Sequence, residues 1–217
     1  MLVSMSEMCY RCYKPKNNCL CPYITETDTG VKFVILMHPK EAYHQRTGTG
    51  RLTALSLKNS EIRIGIDFTD DEKLNGMLCD SRYQPFLLFP GKDFQTAETL
   101  QEIPGKQLLV VVIDGTWPCA KKILRLSSNL RMLPTLSFSG SYRSAFAFKR
   151  EPSEECLSTI ESCYYLVREL QQSSKAKQCD VSSMLTVFSK MVEHQIVSEK
   201  RRKALSGNDS FHLRCGS

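Results

Sequence analysis

The run Val31-Lys32-Phe33-Val34-Ile35-Leu36-Met37 is almost unbroken in apolar, β-branched side chains and reads as a buried strand. Shorter apolar runs follow at Ile62 to Ile66, Pro85 to Phe89 and Leu108 to Ile113, separated by polar, helix-compatible segments. Buried strands alternating with such segments are the signature of crossovers in a parallel sheet, so the pattern predicts an α/β fold with a mainly parallel sheet flanked by helices. From Ser153 the period changes. Cys156, Leu157, Ile160, Cys163, Tyr164, Val167 and Leu170 recur at helical spacing behind a Ser-Glu-Glu start. A second helical stretch, with Val181, Met184, Leu185, Val187, Phe188, Met191, Val192 and Ile196, follows the capping-competent Asp180 and runs into Glu199-Lys200-Arg201-Arg202-Lys203. No internal repeat is visible, and residues 204–217 read as frayed or disordered. The expected organisation is a cysteine-rich segment over 1–28, a main domain over 29–198 and a basic tail over 199–217.

Two of the apolar runs end in turn chemistry: Phe89-Pro90-Gly91-Lys92 and Asp114-Gly115-Thr116-Trp117-Pro118. Ligands of open α/β sheets gather at the carboxyl ends of strands, which makes these loops the place to look for a site. Asp114 suits acid/base work and Trp117, the only tryptophan, suits stacking. The plainer alternative is that Asp114 and Thr116 cap the helix containing Ala120, Ile123 and Leu124 while Trp117 fills core.

With 217 residues and 41% apolar content, the chain can bury one substantial core, with room for a small appended module. Its longest purely apolar run, Leu108 to Ile113, is far short of the roughly 20 residues that cross a bilayer, and the N-terminus lacks a signal-peptide pattern, so a soluble, unsecreted protein without a membrane partner is expected. Four of ten cysteines lie in the first 21 residues and the rest are scattered singly, which fits reduced thiols and a metal better than a disulfide framework. Cys9, Cys12, Cys19 and Cys21 form C-x2-C-x6-C-x-C, four soft ligands spaced to wrap a tetrahedral Zn²⁺. Four thiolates leave no open position, so the ion is expected to stabilise the segment and present Arg11, Lys14 and Lys16; a redox dithiol is the alternative. His38, His44, His194 and His212 lack a compact ligand pattern, which argues against a zinc hydrolase. A net charge of +6 favours a polyanionic partner without requiring one.

Asp114-Gly115-Thr116-Trp117 followed by Ala120-Lys121-Lys122 resembles the D-x-T-W signature of the DTW-domain family. Other blocks agree in order: the cysteine segment, His38-Pro39-Lys40-Glu41, Arg46-Thr47-Gly48-Thr49-Gly50-Arg51-Leu52, Leu87-Leu88-Phe89-Pro90-Gly91, Tyr142-Arg143 to Arg150-Glu151-Pro152, and Leu157-Ser158-Thr159-Ile160-Glu161. Several blocks in fixed order, over about residues 9–195, are more specific than any one. The chain departs from the family pattern in the Arg46 to Arg51 block, where the family usually has Asn before Thr-Gly or a similar small pair. The resemblance implies a SPOUT-like fold with a C-terminal trefoil knot. It also implies a cytoplasmic tRNA-uridine aminocarboxypropyltransferase that moves the 3-amino-3-carboxypropyl group of S-adenosylmethionine to uridine N3 and releases methylthioadenosine. On that reading the donor lies across Phe89, Pro90, Gly91, Asp114, Gly115, Thr116, Trp117, Leu136, Ser137 and Phe138, with Ser158 and Thr159 beside them. Asp114, Thr116 and Trp117 are the candidate catalytic residues, Asp114 accepting or steering the N3 proton and Trp117 stacking on the target base or the adenine. His38, Arg46, Arg51, Lys121, Lys122, Arg125, Arg143 and Arg150 are the candidate grips on tRNA. The rival functions are an S-adenosylmethionine-dependent RNA methyltransferase and a non-catalytic zinc-containing RNA-binding protein.

Overall fold

The structure, a computed structural model, describes residues 8–44, 48–91, 93–144 and 157–206. The strands are β1 (Lys32–Met37), β2 (Ser60–Ile64), β3 (Tyr83–Leu88), β4 (Phe94–Gln95), β5 (Gln107–Asp114) and β6 (Thr135–Leu136). They form one six-stranded sheet in the order β2-β1-β5-β3-β6-β4, and every pairing is parallel. The helices are α1 (Pro39–His44), α2 (Gly50–Ser56), α3 (Glu72–Cys79), α4 (Trp117–Leu126), α5 (Ser128–Arg131), α6 (Thr159–Gln172) and α7 (Ser182–Ser206). The expected mixed α/β architecture with a parallel sheet is what the chain adopts.

The unbroken apolar runs have a direct cause. Successive side chains of a strand point to opposite faces, and here both faces are covered. Phe33, Val110 and Val112 belong to one cluster with Leu52 of α2, Leu166 of α6 and Met184 of α7. Val34, Leu36, Leu109 and Val111 face the other way, onto Leu74 of α3, Ile123 of α4 and Leu130 of α5. Cys12 and Leu20 of the cysteine segment are each 1% exposed and lie in the first cluster, so this segment shares its core with the sheet.

Element bounds differ from the sequence expectation in instructive ways. The second strand covers 60–64, two residues early, because Ser60 donates its hydroxyl to Ala54 and Leu57 carbonyls and the Asn59 carbonyl accepts the Phe33 N–H. The α6 helix begins at Thr159 behind a capping box of Ser158 and Glu161; Ser153 and Cys156 lie outside the described residues. Asp180 accepts from the Ser182 N–H and hydroxyl at 2.8 and 3.0 Å and starts α7 as expected. That helix continues to Ser206, past the point where fraying was expected, and residues 207–217 lie outside those described. Among the described residues no helix is long and apolar enough to cross a membrane.

Candidate functional site

All six strands run the same way, so their carboxyl ends share one edge. There β5 ends at Asp114, whose carbonyl accepts the His38 N–H at 2.9 Å and ties it to the end of β1. The Asp114 side chain is nearly buried, 4% exposed. Thr159, the first residue of α6, donates its hydroxyl to Asp114 Oδ1 at 2.5 Å. Gly50, the first residue of α2, packs on the same carboxyl: a β-carbon there would fall 2.6 Å from Asp114 Cγ and 2.9 Å from Met37 Cε. Glycine is required at this place by close approach. Three blocks far apart in sequence therefore meet at one carboxylate.

The loop after Asp114 is close-packed at first, though less tightly than at Gly50, and then opens. A β-carbon on Gly115 would lie 3.2 Å from Cys119 Cβ and 3.4 Å from His38 Cβ. Thr116 is exposed and sits at the N-cap of α4, where its side chain makes no capping hydrogen bond. Trp117 is half-buried with its ring edge-on to Phe89, centroids 5.8 Å apart, which joins this loop to the exposed Pro90 and Gly91 turn after β3. The β6 loop is attached by backbone: the Phe89 N–H donates to the Leu136 carbonyl at 3.2 Å and the Ser137 N–H to Gln95 at 2.9 Å. Leu136 is buried, and the half-buried Phe138 lies edge-on to Tyr142 at 5.7 Å.

Two buried carboxylates on α6 anchor the next stretch. Glu161 accepts from the Ser158 N–H at 2.9 Å, the Ser158 hydroxyl at 2.6 Å and the Ser144 hydroxyl at 2.8 Å. Glu169 accepts from the backbone of Ser139 and Gly140 and from the Tyr142 hydroxyl at 2.8 Å. Burial, and then the Glu169 hydrogen bond, push the Tyr142 phenol up to about 12. No role was expected for either glutamate; the Ser-x-x-Glu spacing at Ser158 is the sequence signal for the first, and the second has none. Cys163 is fully buried, and burial followed by the Asp114 charge raises its thiol pKa, which makes it an inert core residue.

The candidate RNA contacts fall in different settings. His38 is only 5% exposed, its Nδ1 accepting the Lys40 N–H at 3.1 Å, and burial followed by the charges of Lys40 and Lys122 lowers its pKa. Lys121, Lys122 and Arg125 are exposed on α4 and Arg143 is exposed beyond β6, while Arg51 is half-buried on α2. Arg46 and Arg150 lie outside the described residues.

The four cysteine sulfurs lie within 4.8 Å of one another, with Cys9 to Cys21 at 3.7 Å and Cys12 to Cys19 at 3.8 Å. A tetrathiolate with metal to sulfur bonds of about 2.3 Å has edges of about 3.8 Å, whereas a disulfide requires about 2.05 Å. These side chains can hold a metal ion. Backbone N–H groups of Cys12 and then Arg11 lower the Cys9 thiol to about 6, while burial pushes Cys21 up to about 12. Lys14 of the same loop reaches the strand-end site electrostatically: burial lowers its pKa to about 8, and the charges of Cys12, Arg51 and Asp114 all act on it. That proximity was invisible in the sequence, since the loop and α2 are brought together only by the fold.

Comparison with known proteins gives a consistent result. The family model described as DTW domain matches residues 6–196. The chain is 27% identical over 209 residues to a protein of Drosophila melanogaster named tRNA-uridine aminocarboxypropyltransferase 2, an alignment covering 94% of this chain and 82% of that one. Proteins of the same name from Mus musculus and Macaca fascicularis are 24% and 23% identical over 190 residues, covering 86% of this chain and 64% of theirs. No solved structure matches the chain.

Proposed function

The chain belongs to the DTW-domain family, and from that premise we propose that it transfers the 3-amino-3-carboxypropyl group of S-adenosylmethionine to N3 of a uridine in tRNA. The observation that carries the reading is the convergence on Asp114 of Gly50, His38 and Thr159 with the Gly115 to Trp117 loop, at the ligand edge of a parallel sheet. Uridine N3 attacks the γ-carbon of the methionyl group. The bond from that carbon to sulfur breaks, its electron pair stays on sulfur, and methylthioadenosine leaves. Sulfonium is already a good leaving group, so positioning is the main device. Asp114, held by Thr159, accepts or steers the N3 proton. Trp117, braced by Phe89, stacks on the target base or the adenine. Thr116 completes the catalytic loop, and Phe89 to Gly91, Leu136 to Phe138, Ser158 and Thr159 line the donor site.

Cys9, Cys12, Cys19 and Cys21 hold a structural Zn²⁺, which supplies folding energy and no open coordination position. In this reading residues 1–28 are the zinc segment, 29–198 the catalytic domain and 199–217 a basic tail, and a cysteine set suited to metal rather than to disulfides supports a cytoplasmic location. The fold belongs with the SPOUT-like transferases and carries their C-terminal knot; an all-parallel sheet with β6 inserted between β3 and β4 supports it. Mass spectrometry of nucleosides from unmodified tRNA incubated with the protein and S-adenosylmethionine tests the function. An aminocarboxypropyl adduct on uridine, lost in Asp114→Asn with donor binding retained, is expected. A methyl adduct would make the protein a methyltransferase, and no adduct on any tRNA pool would leave it a binding protein.

A further inference from the structure

Tyr13 stands where the backbone favours glycine. Its φ is 55°, in the left-handed region that is unfavourable for a residue with a β-carbon. The turn is fixed on both sides, the Tyr13 N–H donating to the Cys9 carbonyl and the Cys9 N–H to the Lys14 carbonyl, each at 2.8 Å. The ring gains little from burial, since the residue is 53% exposed. One face of it is covered by the Arg51 guanidinium, 4.0 Å from the ring centroid. Arg51 directly follows Gly50, whose backbone presses on Asp114. On the same loop Tyr10 is 79% exposed, and Arg11 and Lys16 are exposed cations. An aromatic ring held half in water beside a reaction site, backed by a cation and flanked by others, has the chemistry that stacks an unpaired base and pairs with its phosphates.

We propose that Tyr13, backed by Arg51, is a stacking platform for an unpaired RNA nucleobase next to the Asp114 site, with Arg11 and Lys16 facing the adjoining phosphates. The four-cysteine loop is then part of the substrate-binding surface as well as a structural staple. The inference rests on RNA being the substrate. Its rival is a latch, in which the Tyr13 and Arg51 contact merely fastens the loop to α2. Tyr13→Gly and Tyr13→Asn separate them, because both residues accept the left-handed backbone while removing the ring. Affinity for unmodified tRNA transcripts should fall about 5- to 150-fold in both. Tyr13→Phe should retain it, and melting temperature, bound zinc and S-adenosylmethionine affinity should not fall in any of the three. The platform is overturned if tRNA affinity is unchanged in the Gly and Asn variants, if the wild-type protein binds no tRNA, or if melting temperature and donor affinity fall together with tRNA affinity. Wild-type binding through Tyr13 without any aminocarboxypropyl product would leave the platform standing and sink the transferase reading. Product formed by Tyr13→Asn with unaltered kcat/KM would do the reverse.

Discussion

Gly50 and Asp114 constrain each other at van der Waals range, and neither constraint is written in local sequence. Asp114 stands out in the sequence because it ends the longest apolar run, and Thr159 because it sits in a recognisable block, but their 2.5 Å hydrogen bond spans 45 residues and only the fold creates it. Gly50 lies in the block that departs from the family pattern, and its spacing alone does not say what the glycine is for. The structure does: a methyl group there would collide with Asp114 and Met37. Gly50→Ala should therefore overpack a closed site, at a cost of about 1–3 kcal/mol. For a chain of this size that lowers the melting temperature by about 2–12 °C. Thermal denaturation checks the stability and the nucleoside assay the transfer, which should fall with it. An alanine variant that melts and transfers like the wild type would mean that Asp114 is not packed as described.

Among the elements, those with a strong period were legible and those without one were not. The β1 and β5 runs and the α7 stripe announced themselves because many side chains repeat the same demand. Two-residue strands repeat nothing: β4 and β6 are only Phe94–Gln95 and Thr135–Leu136, and they exist because neighbouring backbones offer partners. The start of α6 shows how an element end becomes part of a site. Its capping box satisfies the first turn and sets Thr159 against Asp114, so the cap determines a hydrogen bond beyond the helix itself. Ser158→Ala should destabilise the protein by about 1 kcal/mol through loss of the cap. Transfer should drop further than stability predicts, because Thr159 loses its fixed position. Comparing transfer rates at a temperature where wild type and variant are both fully folded isolates this effect; equal rates would confine Ser158 to capping.

At the scale of the whole molecule, the cysteine segment is distinct in composition but continuous in packing. Cys12 and Leu20 lie in the same core cluster as Val110, Leu166 and Met184, so if the four cysteines hold the proposed zinc, its removal should loosen more than one loop. Chelation, or Cys12→Ser, should lower the melting temperature of the entire fold in one transition; an early, separate transition with the body unaffected would make the segment an appendage. The charge distribution carries the remaining expectation. Net charge alone, +6, decides nothing about a partner, since solvated surfaces of this charge are common. What matters is placement: Lys121, Lys122 and Arg125 are exposed on the helix that follows the Asp114 to Thr116 turn, Arg51 follows the glycine packed on Asp114, and Arg143 is exposed on the segment hydrogen-bonded to α6. If each of these five side chains neutralises one phosphate, they alone should contribute about −3.5 to −4.5 to the slope of the logarithm of the tRNA association constant against the logarithm of salt concentration, to which Arg11 and Lys16 of the cysteine loop add. Replacing Lys121 and Lys122 by alanine should shallow that slope by about 1.4 to 1.8 while S-adenosylmethionine affinity is unchanged. A slope near zero in the wild-type protein would put tRNA recognition elsewhere than on this basic edge, because contacts with phosphates release counterions whatever sequence they belong to.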